Sequence, residues 1–213
     1  MKVTEYFKTP IWVEHRPEYL KSLIQHTNKY IIDAKKTPEK KDWIKKYGDF
    51  GISHHSTPLT QDNNFLDFRK YMGEKSFDFL DSCGFDMKQY EVMFSELWVQ
   101  EFAKKGGGHH SAHIHWNQHV SGFYFLKCSD KTSFPVFHEP RTGARSTKLK
   151  MKTSEIKSGT ELVHFKPRPG DLIIFPGYLE HEFAVDHGIE PFRFIHWNIQ
   201  AVPKEMARNF DGS

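Results

Sequence analysis

Four residues in the C-terminal half have types and spacings that could do chemistry together: His113, His115, His181 and Arg193. Two histidines one residue apart on a strand point the same way, because side chains alternate with period 2. Paired imidazoles on one face cost more as structure than as half of a metal site. His181 follows a buried-looking strand and turn, Asp171-Leu-Ile-Ile-Phe-Pro-Gly-Tyr-Leu-Glu-His181. Imidazole nitrogen suits iron, zinc, copper and nickel alike, so three histidines do not choose the metal. The common non-haem iron set is two histidines and one carboxylate. Here the residue two after His113 is another histidine, which would leave an Fe(II) site one charge more positive, and a dianionic cosubstrate would offset it.

Arg193 lies in an apolar run with Phe192, Phe194, Ile195 and Trp197. A buried arginine needs an anionic partner. Its planar fork matches a carboxylate through two parallel hydrogen bonds. That carboxylate could belong to a bound cosubstrate or to an Asp or Glu of the chain. Alternation puts Arg193, Ile195 and Trp197 on one face and Phe194, His196 and Asn198 on the other. His196 then reads as a packed structural histidine. His109 and His110 follow Gly106-Gly-Gly108, where flexibility argues against a preorganised ligand. His119 could line the mouth of a site, and His54 and His55, in an early loop, could cap it.

These residues need a scaffold that holds distant segments together. Residues 3 to 13 read as a short strand. A helix is expected from Pro17, with Leu20, Leu23, Ile24, Tyr30 and Ile31 near helical spacing. Lys35 to Lys46 reads as a basic solvated stretch broken at Pro38, and Gly48 to Asn64 as a loop. A second helix runs from Phe65 to Ser82 and ends at Gly84. From residue 95 short strands follow one another: 95–102, 113–115, 121–128, 135–138, 160–165, 171–175, 181–185 and 193–201, with Pro and Gly turns between. That rhythm predicts an antiparallel sandwich or barrel. The stretch from Arg141 to Arg168 is basic and loop-like, suited to a flap near the site.

Bulk composition narrows the class. The 213 residues predict one domain, with 1–94 as a helical support region and 95–201 as the core. Nineteen Phe predict an aromatic interior, and fourteen His hint at a metal. A net charge of +3 does not call for a nucleic-acid partner. Two cysteines form no disulfide framework. No apolar run reaches the ~20 residues of a membrane span, and the N-terminus lacks a signal-peptide core. A cytoplasmic protein is expected. A dimer is expected only by base rate.

With these residues in hand, the C-terminal half resembles the 2-oxoglutarate/Fe(II) oxygenases found in bacteria and their phages, relatives of the prolyl-hydroxylase-like group. The resemblance rests on His113-Ile-His115, Ser121-Gly-Phe-Tyr-Phe125, Pro167-Arg-Pro-Gly-Asp171, Phe175-Pro176, His181 and Arg193 through Asn198, in that order. It implies a mainly β fold with N-terminal helices around a double-stranded β-helix, the cupin-like jelly roll. It implies Fe(II), 2-oxoglutarate and O2, with His113, His115 and His181 as metal ligands. Arg193 would anchor the distal carboxylate of 2-oxoglutarate, with Ser121 and Gln100 as helpers. A tyrosine contact to that carboxylate is expected where this chain has Phe125; Tyr124 is the nearest substitute, although alternation faces it away. The implied reaction is substrate hydroxylation coupled to decarboxylation of 2-oxoglutarate, with a protein, peptide or small molecule as substrate and a phage-encoded origin as one setting. Two other readings remain open at this level: a three-histidine metal enzyme that does not use 2-oxoglutarate, and a non-catalytic jelly-roll binding module.

Overall fold

The computed structural model describes residues 2, 4, 6–36, 38–146 and 149–210. In chain order the elements are β1 (Trp12–His15), α1 (Leu20–Ala34), α2 (Pro38–Tyr47), β2 (Ser53–His55), α3 (Leu66–Ser82), β3 (Tyr90–Phe102), β4 (His110–His113), β5 (Val120–Lys127), β6 (Pro135–His138), α4 (Thr142–Arg145), β7 (Leu162–His164), β8 (Asp171–Pro176), β9 (His181–Phe183), β10 (Arg193–Pro203) and α5 (Lys204–Phe210). Two antiparallel sheets face each other. One has six strands in the order β1-β8-β5-β10-β3-β2, and the other has four in the order β4-β9-β6-β7. The series of short strands predicts such an antiparallel sandwich, and the resemblance implies its jelly-roll form.

Both faces of the larger sheet are buried, by different partners. Leu97 and Val99 of β3, Tyr124 and Leu126 of β5, and Ile195, Trp197 and Ile199 of β10 pack under α1 and α3 against Leu23, Ile31, Phe68 and Met72. The opposite faces of the same strands point between the sheets. There Phe102, Phe123, Phe125, Phe137, Phe175, Phe183, Phe192 and Phe194 form a second core. Each buried aromatic contributes roughly 1.5–3 kcal/mol by leaving water. Gly122 permits the close approach of β5 and β10, since a Cβ there would strike the Trp197 ring and sit 2.8 Å from the Ile173 carbonyl oxygen.

Several sequence expectations change. Pro38 starts α2 rather than breaking it, as proline does at a first helical position. The early loop contains β2, which pairs with β3 through His54 and His55 opposite Glu101 and Gln100. The stretch read as a strand over 3–13 is ordered as β1 over Trp12–His15, paired with β8, and its residues 3 and 5 lie outside the described residues. The basic 141–168 stretch contains α4 and β7, and its residues 147 and 148 lie outside the described ones. Most consequential, β4 ends at His113, and His115 lies beyond it. Asn117 follows with φ 60°, a left-handed turn conformation that asparagine tolerates. The rings of His113 and His115 nonetheless lie together, 5.1 Å apart.

Candidate metal centre

The turn after β4 and the start of β9 place His113, His115 and His181 around one point. Their ligand-capable atoms lie within 4.8 Å of one another. Ring centroids are 4.5 Å apart for His113–His181 and 5.1 Å apart for His113–His115 and His115–His181. Imidazoles bonded through one nitrogen at about 2.1 Å to a common ion would sit at roughly this spacing. Pairing of His113 with His181 across β4 and β9 fixes two of the three.

The outer nitrogens are held and the inner ones are not. His113 Nδ1 lies 2.7 Å from the Ser111 carbonyl oxygen, and His181 Nδ1 lies 2.9 Å from that of Leu179. Each carbonyl fixes a proton on Nδ1 and so leaves Nε2 as the lone-pair nitrogen. The Nε2 atoms of His115 and His181 are buried and have no hydrogen-bond partner. Buried polar atoms without partners are rare, and a metal ion satisfies them. His115 Nδ1 lies 3.0 Å from the Asn198 side-chain amide, which Ser121 and Glu96 also bind.

Electrostatics keeps these rings neutral, as metal ligation requires. Burial pushes the pKa of His181 down to about 3 and that of His115 down to about 4, with neighbouring histidines adding to both shifts. His110 is likewise lowered to about 4 by burial. His196, wholly enclosed, is pushed well below the ordinary histidine value by the same cause.

Arg193 does not stand with the histidines. It lies on the helix-facing side of β10. Its Nε donates to Glu101 Oε2 at 2.7 Å, and its Nη1 donates to Asn28 Oδ1 at 2.8 Å. Lys35 completes the cluster, 2.5 Å from the other Glu101 oxygen. Burial raises the Glu101 carboxyl, but Lys35 and Arg193 outweigh it and hold the group below its ordinary value. The internal ion pair is thus the partner Arg193 has. Tyr124 also faces the helices, where its hydroxyl donates to the Arg16 carbonyl oxygen at 2.7 Å. Ser121 and Gln100 do face between the sheets.

The structure adds residues that sequence reasoning passed over. His196 stacks on His115 with centroids 4.7 Å apart, and both its ring nitrogens are buried without partners. Glu96, His115 and His196 form a second set of groups within 4.8 Å. His110, discounted for its glycine neighbours, is pinned by Gln100, whose amide lies 2.6 Å from its Nε2. His55 stacks on Trp98 at 3.9 Å, and Trp98 in turn meets His196 at 4.6 Å. Period-2 alternation from Gln100 along β3, and from Asn198 along β10, would have found Trp98 and His196.

Residues 96–191, from β3 to the loop before β10, match the model of a family described as "Putative 2OG-Fe(II) oxygenase". That segment, just under half of the chain, is similar to the 2OG-Fe(II) oxygenases. The matched segment contains His113, His115 and His181 and stops short of Arg193. No curated protein matches the chain. Among solved structures, a Pseudomonas putida prolyl-4-hydroxylase is similar at 11% identity and TM-score 0.56, over 89% of this chain and 92% of that one. The viral collagen prolyl hydroxylase of Paramecium Bursaria Chlorella virus-1, in a 2OG complex, is similar at 10% identity and TM-score 0.56, over 90% and 96%. A Trichoplax adhaerens prolyl hydroxylase, in complex with a hypoxia inducible factor oxygen degradation domain peptide fragment, is similar at 10% identity and TM-score 0.55, over 95% and 87%. At these identities the likeness is one of fold, the double-stranded β-helix.

The family implies Fe(II), 2-oxoglutarate (2OG) and O2. Iron fits this histidine set on the grounds of its spacing and of the bare, buried Nε2 atoms of His115 and His181. The fit to 2OG is different in kind from the one the sequence suggested, because the arginine expected to anchor it is occupied by Glu101. Among the described residues no helix is long and apolar enough to cross a membrane.

Proposed function

We propose that this 2OG-Fe(II) oxygenase is a hydroxylase, with a prolyl residue of a peptide or protein as the favoured substrate. The observation that carries the reading is the convergence of His113, His115 and His181, with the inner nitrogens of His115 and His181 buried and bare. When bound there, Fe(II) supplies O2 activation coupled to 2OG decarboxylation. The chain's own contribution is a rigid ligand set, a dry interior lined by phenylalanines, and an accessible approach. The approach is aromatic: Trp116 and Tyr178, neighbours of the ligands in sequence, are 79% and 56% exposed. Tyr178 lines a groove of about 540 Å³ together with Pro10, Phe79, Phe85, Gln118 and His119. Aromatic faces and apolar walls suit an extended, proline-containing segment. Prolyl hydroxylation by three proteins of the same fold supports this substrate class.

The test is succinate formation from 2OG by Fe(II)-loaded protein across a panel of proline-containing peptides, with mass spectrometry for one added oxygen. Peptide-stimulated turnover with an oxidised prolyl residue is expected. Succinate formation stimulated only by small molecules would refute the peptide assignment. The engagement of Arg193 by Glu101 favours a second reading, a three-histidine metal enzyme that does without 2OG. Absence of any 2OG binding to metal-loaded protein would select it.

A further inference from the structure

We infer that the arm between β6 and β7 is a docking site for an extended, acidic segment of the protein substrate, which adds as a strand to the open edge of β7. This rests on the peptide-substrate reading above. β7 is the last strand of its sheet. The Glu139 N–H donates to the Glu161 carbonyl oxygen, and the Phe165 N–H donates to that of Pro135. Hydrogen-bonding direction alternates along an antiparallel strand. The N–H and C=O groups of Leu162 and His164 therefore point away from β6. Among the described residues no strand pairs with that side. Such an edge is a template for another extended chain.

The arm supplies the side chains that choose the occupant. Leu149-Lys-Met-Lys152 alternates apolar and basic residues with the period of a strand, yet it belongs to neither sheet. All four side chains are exposed, Leu149 to 91%. Leu162, at the start of β7, lines a groove of about 990 Å³ together with these four residues. Exposed apolar side chains gathered in one place mark a binding surface. Arg141, Arg145 and Lys157 are paired with Glu139, Glu180 and Glu155. Lys150 and Lys152 have no acidic partner among the described residues. A segment that alternates acidic and apolar residues matches this surface. Its backbone meets β7, its carboxylates meet Lys150 and Lys152, and its apolar side chains cover Leu149, Met151 and Leu162. The place suits a substrate. Phe137 pairs with His181 on one side and Val163 on the other, which sets β7 two strand spacings, about 10 Å, from β9. Thr160 lines both this groove and a recess of about 340 Å³, and Lys8 lines both that recess and the groove at Tyr178.

The experiment is fluorescence anisotropy on metal-free protein, with a labelled peptide that alternates Glu and Val beside its counterpart with Lys in place of Glu. The Glu peptide should bind and the Lys peptide should not. Exposed ion pairs are individually weak, so both lysines are reversed together. Lys150→Glu with Lys152→Glu should weaken the Glu peptide about tenfold, and added salt should weaken it in wild type. Leu149→Ser should weaken it at unchanged melting temperature. Amide hydrogen exchange at Leu162 and His164 should slow in the complex. Equal binding of the two peptides, undiminished binding by the charge-reversed protein, or unchanged exchange at β7 overturns the inference. So does a concentration-dependent dimer abolished by Leu149→Ser, which gives the face to a second copy of the chain. Joining the Glu segment to a prolyl peptide should lower KM in wild type and not in the charge-reversed variant, with kcat unchanged in both. Binding of the Glu peptide with no turnover of any prolyl peptide refutes the reading beneath. Turnover indifferent to the Glu segment refutes this inference alone.

Discussion

Replacing Arg193 with methionine should damage the fold and spare the metal centre. Arg193 bonds Glu101 through Nε and Nη2, and Asn28 and Thr27 through Nη1. Its side chain is 5% exposed and that of Glu101 is 7%. Removing one partner of a buried ion pair costs about 3–5 kcal/mol, since the remaining charge stays buried. The lower end applies, because Lys35 still neutralises Glu101. At roughly 2–4 °C per kcal/mol for a chain of this size, Arg193→Met should melt about 6–12 °C lower. Adding Glu101→Leu removes the stranded charge and should recover part of the loss. Urea unfolding of the two variants, with Mn(II) affinity measured beside it, makes the check. A single variant within about 1 kcal/mol of wild type, or a double variant no more stable than the single, would refute a structural role for the pair.

Asn198→Ala removes the partner of His115 Nδ1 and should lower metal affinity about tenfold with little change in melting, as read by competition with a fluorescent chelator. Gly122→Ala drives a methyl group into Trp197 and should cost about 1–3 kcal/mol in urea unfolding. His181 stays neutral in the fold with a pKa of about 3, whereas an unfolded histidine titrates near 6.5. The unfolded chain therefore takes up the proton first as pH falls, and stability declines below about pH 6.5, by about 2 kcal/mol at pH 5 from this group. Melting temperature of metal-free protein against pH checks the sign: a fold that melts higher at pH 5 than at pH 7 contradicts it.

The grouping of His113, His115 and His181 is legible in the sequence because their residue type, order and distance apart suit one chemistry. The end of β4 at His113, short of His115, is a boundary that no period reveals. Arg193 shows a different limit. Alternation correctly separates it from His196 and Asn198, but both faces of β10 are buried, so apolar neighbours cannot say which face looks between the sheets. The helices decide that by covering the Arg193 side. Alternation sets His196 opposite Arg193, and for that same reason it lies against His115. Trp98, His55 and His110 were obscured because their partners come from β2, β3 and β4, strands brought together only by the fold.

The most direct test is titration of metal-free protein with Mn(II) under air-free conditions, followed by 2OG, with wild type beside His181→Ala. The account predicts one ion per wild-type chain, 2OG binding only after the metal, and neither in the variant. Metal uptake undiminished by loss of His181, or none by the wild type, would contradict it.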